Sequence, residues 1–204
     1  MRALRVMAAV VLLAAAVFAA LLAADVRAWS TAVATGDAVY DATPLSATWT
    51  ASTRLPASLS RGLLGLEEDL AARHALQLYR ANVGVRARLD NAVQVAGARA
   101  IAETALAAVA RGRDTVRDSQ AETLLAVLAF GDFAQGAQTS QADQAVSALE
   151  QAVKLDPENS AAKYDLELLL RTLEARGTSV GSQAGAGFGP GRHGAAGGVG
   201  GKGY

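Results

Sequence analysis

The stretch from Ala145 to Leu170 constrains the fold most, because it has the pattern of two helices joined by a tight turn. In its first half, apolar residues recur at spacings of three and four and so line one helical face: Ala145, Leu149, Ala152 and Leu155. Pro157 cannot continue that helix, since it has no amide hydrogen and disfavours helical geometry in the preceding residue. Asn159 or Ser160 can cap the next helix. We therefore predict a helix–turn–helix unit.

These residues resemble the tetratricopeptide repeat. The match comprises a small, a bulky and a second small residue, a closing Leu-Asp-Pro and the Tyr-x-Leu of the next unit: Ala145, Leu149, Ala152, residues 155–157 and residues 164–166. The resemblance implies an array of antiparallel helical hairpins that binds other proteins. It also implies that Tyr164 faces the concave groove of such an array.

A second constraint is the run of 19 uncharged residues between Arg5 and Asp25. As a helix the run would span roughly 28 Å, close to the bilayer's hydrocarbon core of about 30 Å. It is longer than the apolar core of a secretory signal, which has roughly 7–15 residues. We predict an uncleaved membrane anchor over residues 1–30, with Trp29 at the membrane interface. The alternative is a signal peptide that is cleaved before Ala20.

The charges around this run predict its orientation. Arg2, Arg5 and the terminal amine precede the run, whereas Asp25, Arg27 and Asp37 nearly cancel after it. Positive charge tends to stay on the cytoplasmic side of a membrane. We therefore expect a cytoplasmic N-terminus and an extracytoplasmic remainder.

Composition favours helices and disfavours nucleic acid as a partner. Aromatic residues make up 5% of the chain, and alanine is abundant, which suits closely packed helices better than sheets. All 19 acidic residues lie within 25–174 and 15 of the basic ones within 27–176, so this region carries 15 − 19 = −4 charges. An acidic surface repels the phosphate backbone.

The chain divides into four predicted parts. After the anchor, residues 31–62 form a juxtamembrane linker with a short extended piece at 46–53. Residues 63–176 form an all-α, repeat-like domain of about five helices, and residues 177–204 form a disordered tail that holds 12 of the 20 glycines. The expected helices before the Ala145–Leu170 pair cover 64–81, 91–110 and 116–130, with a loop over 131–142.

No motif in the sequence indicates catalysis. A G-x-G-x-x-G string at 189–194 lies in glycine-rich coil, whereas dinucleotide binding needs a strand before it and a helix after it. His74 and His193 have no further ligands at zinc-site spacing, and the consecutive acids Glu67–Asp69 point in different directions on a helix. We predict no enzyme activity, cofactor, metal site or small-molecule substrate.

A wider resemblance rests on several segments together: the N-terminal anchor, Asp25–Trp29, Leu64–Leu70, Ala162–Leu168 and the glycine-rich end. They resemble actinobacterial single-pass membrane proteins associated with MoxR-type AAA ATPases and von Willebrand factor A proteins, in a Bat-like arrangement. The resemblance implies a membrane-linked adaptor or scaffold whose partners are proteins, among them von Willebrand factor A-type membrane proteins.

Tyr164 and Arg171 are the predicted partner-binding residues. Asp165 follows Tyr164, and its negative charge would repel a peptide's C-terminal carboxylate, so a carboxylate clamp is disfavoured. Two alternatives stay open. Tyr164 could pack between helices with its hydroxyl at the rim, and the chain could be a secreted or envelope structural protein released by signal-peptide cleavage.

Overall fold

The computed structural model describes residues 2–134 and 139–177. All regular structure in these two ranges is helical, which confirms the predicted all-α class. Seven α-helices follow one another: α1 Arg2–Ala42, α2 Ala57–Leu63, α3 Glu67–Asn82, α4 Ala92–Val109, α5 Thr115–Ala134, α6 Thr139–Leu155 and α7 Ser160–Ala175. A short 3-10 helix at Pro44–Ser46 follows α1.

Helix α1 is one continuous helix of 41 residues. Its uncharged part is long and apolar enough to cross a membrane, and large apolar side chains from Leu4 to Phe18 are exposed. The helix does not end with this part but continues to Ala42, through residues that we predicted as linker. It ends at Ala42, because the ring of Pro44 disfavours helical geometry in the preceding residue, Thr43.

Helix α4 is also long and apolar enough to cross a membrane. It packs against α3 and α5, and Ala102 and Leu106 are its buried residues. These contacts are those of a helix in a bundle.

Residues 47–55 run back along α1 from its C-terminal end. Trp49 Nε1 donates to Asp37 Oδ1 over 2.8 Å, and the backbone amides of Arg54 and Leu55 donate to the Asp25 carboxylate. Asp25 and Asp37 lie twelve residues apart on α1, which is about 18 Å along the helix axis. The five-residue step from Trp49 to Arg54 covers that distance only when the chain is extended. The predicted extended piece is therefore present. It is a single segment beside a helix, so no strand forms.

Direct contacts join α1 to the helices beyond. Arg73 of α3 pairs with Asp37 of α1 over 2.9 Å. Arg73 also pairs with Asp69 of α3 over 2.9 Å, and Arg117 of α5 pairs with the same Asp69 over 3.3 Å, so this ion-pair network continues from α1 to α5. Trp29, which we predicted at the membrane interface, is 4% exposed, and its Nε1 donates to Ser60 Oγ of α2 over 3.1 Å. We call residues 25–63 the junction.

Gly36 lets residues 47–55, which we call the return segment, lie against α1. A Cβ atom added to Gly36 would lie 2.4 Å from Trp49 Cδ1 and 2.9 Å from the carbonyl oxygen of Thr48. We expect Gly36→Ala to lower the free energy of unfolding by about 1–2 kcal/mol, in the lower part of the overpacking range because the return segment can shift. Urea unfolding of the full chain in detergent, followed by tryptophan fluorescence, measures this change.

Gly97 of α4 provides a matched control of opposite sign. Apart from its chain neighbours and the backbone of its own helix, no atom lies within 4 Å of a Cβ added there. Gly97→Ala should therefore raise the free energy of unfolding by about 0.5–1 kcal/mol, because alanine favours a helix interior. If Gly36→Ala stabilised the protein as Gly97→Ala does, the close approach of Trp49 would be wrong.

Helices α3 to α7 bury two apolar clusters. One lies between α3, α4 and α5, and its largest members are Tyr79, Leu106 and Leu128. The other lies between α5, α6 and α7 and consists of five alanines, one valine and three leucines: Ala126, Ala142, Ala145, Val146, Leu149, Ala152, Ala162, Leu169 and Leu173. Leu149, on the apolar face that its helical spacing predicts, is 2% exposed, whereas Leu166 is only partly buried.

Several predicted boundaries are corrected. Helix α3 begins at Glu67 rather than Leu64, because Gly65 has a φ of +64° and separates α2 from α3. Helix α5 continues through Gly131 to Ala134 and α6 begins at Thr139, so the loop predicted over 131–142 reduces to a connection at 135–138. That connection lies outside the described residues, as does the predicted tail from residue 178.

Candidate protein-binding surface

A buried polar network fixes the start of α7. Asn159 Oδ1 accepts from the amide of Ala162 over 3.0 Å, so Asn159 is the predicted cap. Its Nδ2 donates to Ser119 Oγ over 2.8 Å and to Thr123 Oγ1 over 3.2 Å, both on α5. Ser119 Oγ in turn donates to the carbonyl of Ala152 over 2.8 Å. The network holds α7 at a defined position on α5 and α6.

One face of α7 packs on α6, and the other is open. Ala162, Leu169 and Leu173 are buried. On the open side Tyr164 is 66% exposed and Leu168 is 47% exposed. Arg171 is exposed and forms an ion pair with Glu167 one turn away. Tyr164, Leu168 and Arg171 are spaced i, i+4, i+7, so they form one stripe, which we call the α7 stripe.

The structure thus places both predicted site residues on the same helix face. Tyr164 does not pack between the described helices, so the alternative of a packed tyrosine with its hydroxyl at the rim is not realised there. The sequence motifs did not single out Leu168. The i+4 spacing from Tyr164 was the signal that could have identified it.

Asp165 lies on a different side of α7 and faces the bundle. Burial raises the pKa of its carboxyl group. Burial also raises the pKa of Tyr79 on α3; the positive charge of Arg80 opposes this rise, and the nearby Asp165 carboxylate adds to it. The Asp165 carboxylate therefore lies within electrostatic range of the Tyr79 hydroxyl.

Several grooves lie between the helices α3 to α6. One of about 240 Å³ lies between α3, α4 and α5, and its charged residues Asp69, Arg73 and Arg117 already pair with one another. Another of about 380 Å³ lies between α4, α5 and α6 and is lined mostly by alanine and glutamine, with Arg99 and Glu103. Neither groove was predicted, because both depend on how the helices lie relative to one another.

Neither groove has an arrangement that indicates a reaction or a metal site. Within residues 2–134 and 139–177, no three histidines, aspartates or glutamates come together where they could hold a metal ion. His193 and the glycine-rich string at 189–194 lie outside these residues. The feature that the described residues offer is a surface with an aromatic, an aliphatic and a cationic group in line.

Comparison with protein families, with curated proteins and with solved structures gives no match to this chain.

Proposed function

We propose that this protein is a membrane-anchored, tetratricopeptide-like adaptor. In this proposal α1 crosses the cytoplasmic membrane with its N-terminus in the cytoplasm, and α3 to α7 form a protein-binding scaffold outside. Two observations support it: α1 has the length and apolarity for a span, and the ion pair between Asp37 of α1 and Arg73 of α3 joins α1 to the domain. Such a connection would hold the scaffold at a fixed position over the membrane.

The α7 stripe is the observation that carries the proposed function. In stacked helical repeats each helix pair covers the apolar face of its neighbour. Within the described residues no helix follows α7 to cover Tyr164 and Leu168. Tyrosine and arginine are also the residue types that dominate binding energy at protein interfaces.

The chemistry of the α7 stripe fits an amphipathic helix of a protein partner. Tyr164 and Leu168 would contact its apolar face, and Arg171 with Glu167 would lie at the polar rim. The resemblance described above suggests a membrane protein of the von Willebrand factor A type as the source. We propose no catalysis, cofactor or nucleic-acid partner for this scaffold.

Partner capture with a double variant tests this proposal. We expect Tyr164→Ala combined with Arg171→Glu to weaken capture of the partner by the tagged full-length protein by tenfold or more, about 1.4 kcal/mol or above. The helix content should not change, because the exposed Arg171–Glu167 pair stabilises the fold by only about 0–1 kcal/mol. Quantitative mass spectrometry of cross-linked, detergent-solubilised complexes measures capture, and circular dichroism measures folding.

A second double variant controls for the charge change. Val93→Ala combined with Arg113→Glu alters an exposed valine and an exposed arginine away from α7 and should leave capture unchanged. A variant that ends at Gly177 should also keep its partners, since ordering a glycine-rich tail costs entropy. If that deletion alone abolished every interaction, the binding site would have to be assigned to the tail.

The alternative is a secreted or envelope structural protein that signal peptidase releases. The mass of the mature N-terminus separates the two proposals. An anchored protein keeps the residues before Arg27 and stays in the membrane through a carbonate wash. A mature chain that begins at or near Ala20 would support the alternative.

A further inference from the structure

The chain returns to the base of its own anchor. The carboxylate of Asp25 accepts hydrogen bonds from the backbone amides of Arg54 and Leu55, and Trp29 donates to Ser60. Asp25, Trp29 and Ser60 are buried by these contacts. Residues 54–60 therefore lie beside α1 at the height of its residues 25–29.

This height coincides with one end of the predicted membrane span. Asp25 is the first charged residue after the uncharged run. Leu21 and Leu22, in the last turn of that run, are partly buried, whereas Leu12 and Leu13 in its middle are 70% and 67% exposed. Protein packing thus begins within the last turn of the run, where a bilayer's hydrocarbon core would give way to its headgroups.

Helix α2 has the side chains of a segment at such a boundary. Ser60 faces α1, while Leu59 and Leu63, one turn apart, are 45% and 51% exposed. Arg54, just before the helix, is exposed, and Arg61 within the helix is partly exposed. Leucines flanked by arginines on a short helix suit the zone between acyl chains and phosphates.

We infer that α2 is a second membrane contact, which lies in the headgroup region beside α1. Leu59 and Leu63 enter the outer edge of the acyl chains, and the guanidinium groups of Arg54 and Arg61 bind lipid phosphates. The domain is then attached at two points, α1 and α2. Two attachments prevent the domain from tilting about α1, so the α7 stripe is presented at a fixed height.

Accessibility of single spin labels tests this inference, which rests on insertion of α1. The chain contains no cysteine, so each introduced cysteine is labelled alone. Labels are placed by Leu59→Cys and Leu63→Cys, by Leu13→Cys in the span, and by Leu45→Cys as a matched control. Leu45 is 67% exposed, next to the end of α1 that lies roughly 25 Å beyond Asp25. The full-length protein is reconstituted in vesicles of phosphatidylcholine and phosphatidylglycerol in equal amounts.

We expect the labels at positions 59 and 63 to collide with a water-soluble nickel chelate several-fold less often than the label at 45, and with oxygen more often. The label at 13 should be the least accessible to nickel. Nickel accessibility at 59 and 63 equal to that at 45 would overturn the inference while leaving the anchor intact. Free nickel access at 13 would overturn both. Neither result concerns partner capture by α7, so failure of the adaptor proposal remains distinguishable.

Discussion

Replacing Leu149 with alanine is expected to lower the free energy of unfolding by about 2–5 kcal/mol. Leu149 is 2% exposed at the centre of the cluster between α5, α6 and α7. The cost of such a truncation depends on how far the neighbours can collapse into the space that it leaves. Five of the eight other buried members of this cluster are alanines, whose single methyl groups cannot move inward. We therefore expect a value in the upper half of the range.

Urea unfolding of the full-length protein in mild detergent, followed by circular dichroism, measures this effect. Leu168→Ala is the matched control, because Leu168 is also an α-helical leucine but is 47% exposed. Its truncation should change the free energy of unfolding by less than about 1 kcal/mol. Equal effects of the two truncations would contradict the packing of α6 against α7.

Enlarging a small residue in the same cluster gives an independent check. Ala152 is fully buried, and its carbonyl oxygen accepts the hydroxyl of Ser119. Ala152→Leu should therefore push α6 away from its neighbours and lower the free energy of unfolding by about 1–3 kcal/mol. An unchanged melting temperature would show that the helices are not closely packed at this position, and it would count against a tetratricopeptide-like packing.

The parts of the fold that the sequence predicted are those where local signals and packing agree. The end of α6 and the start of α7 follow from Pro157 and Asn159, since both act within one turn of the chain. The end of α3 at Asn82, predicted at 81, lies two residues before Gly84, whose φ is +77°. By contrast, Gly131 was expected to end α5, but one glycine costs a helix only about 1 kcal/mol, which tertiary contacts with α6 offset.

The junction could not be predicted, because residues far apart in the chain create it. A serine-, threonine- and glycine-rich segment is compatible with coil or helix, and residues 31–42 became helical where Trp49 and Arg73 pack on them. The prolines at 44 and 56 lie in the predicted linker, yet they mark the end of α1 and the start of α2. Trp29 was predicted at the membrane interface, because no local pattern in the sequence indicates that Ser60 packs against it.

The α7 stripe was predicted only in part, because its exposure also depends on contacts between residues far apart in the chain. Helical spacing alone places Tyr164 and Arg171 on one face of α7. Which face stays uncovered depends on the position of α6, and Leu168 becomes exposed only in that context. The membrane-facing role inferred for α2 depends on the fold entirely, since the sequence pattern predicts no helix between the anchor and Leu64.

The second large effect is expected at Asn159. Asn159→Ala removes the cap of α7 and leaves the amide of Ala162, a fully buried residue, without its acceptor. A lost cap costs about 0.5–2 kcal/mol and the lost bond to the buried Ser119 hydroxyl about 0.5–1.5 kcal/mol, so we expect a loss of about 1–3 kcal/mol in the free energy of unfolding. The same urea titration measures it.

Asn91 is the matched control, because it also precedes a helix, α4, but makes no side-chain cap bond. Its Oδ1 accepts from the exposed backbone amide of Arg88, so Asn91→Ala should cost less than about 1 kcal/mol. A double-mutant cycle of Asn159→Ala with Ser119→Ala should give a coupling energy of about 0.5–3 kcal/mol, because Asn159 Nδ2 donates to Ser119 Oγ. Additive effects would mean that Asn159 acts only as a cap within α7. Coupled effects would mean that one amide side chain also fixes the position of α7, and with it the α7 stripe, on α5.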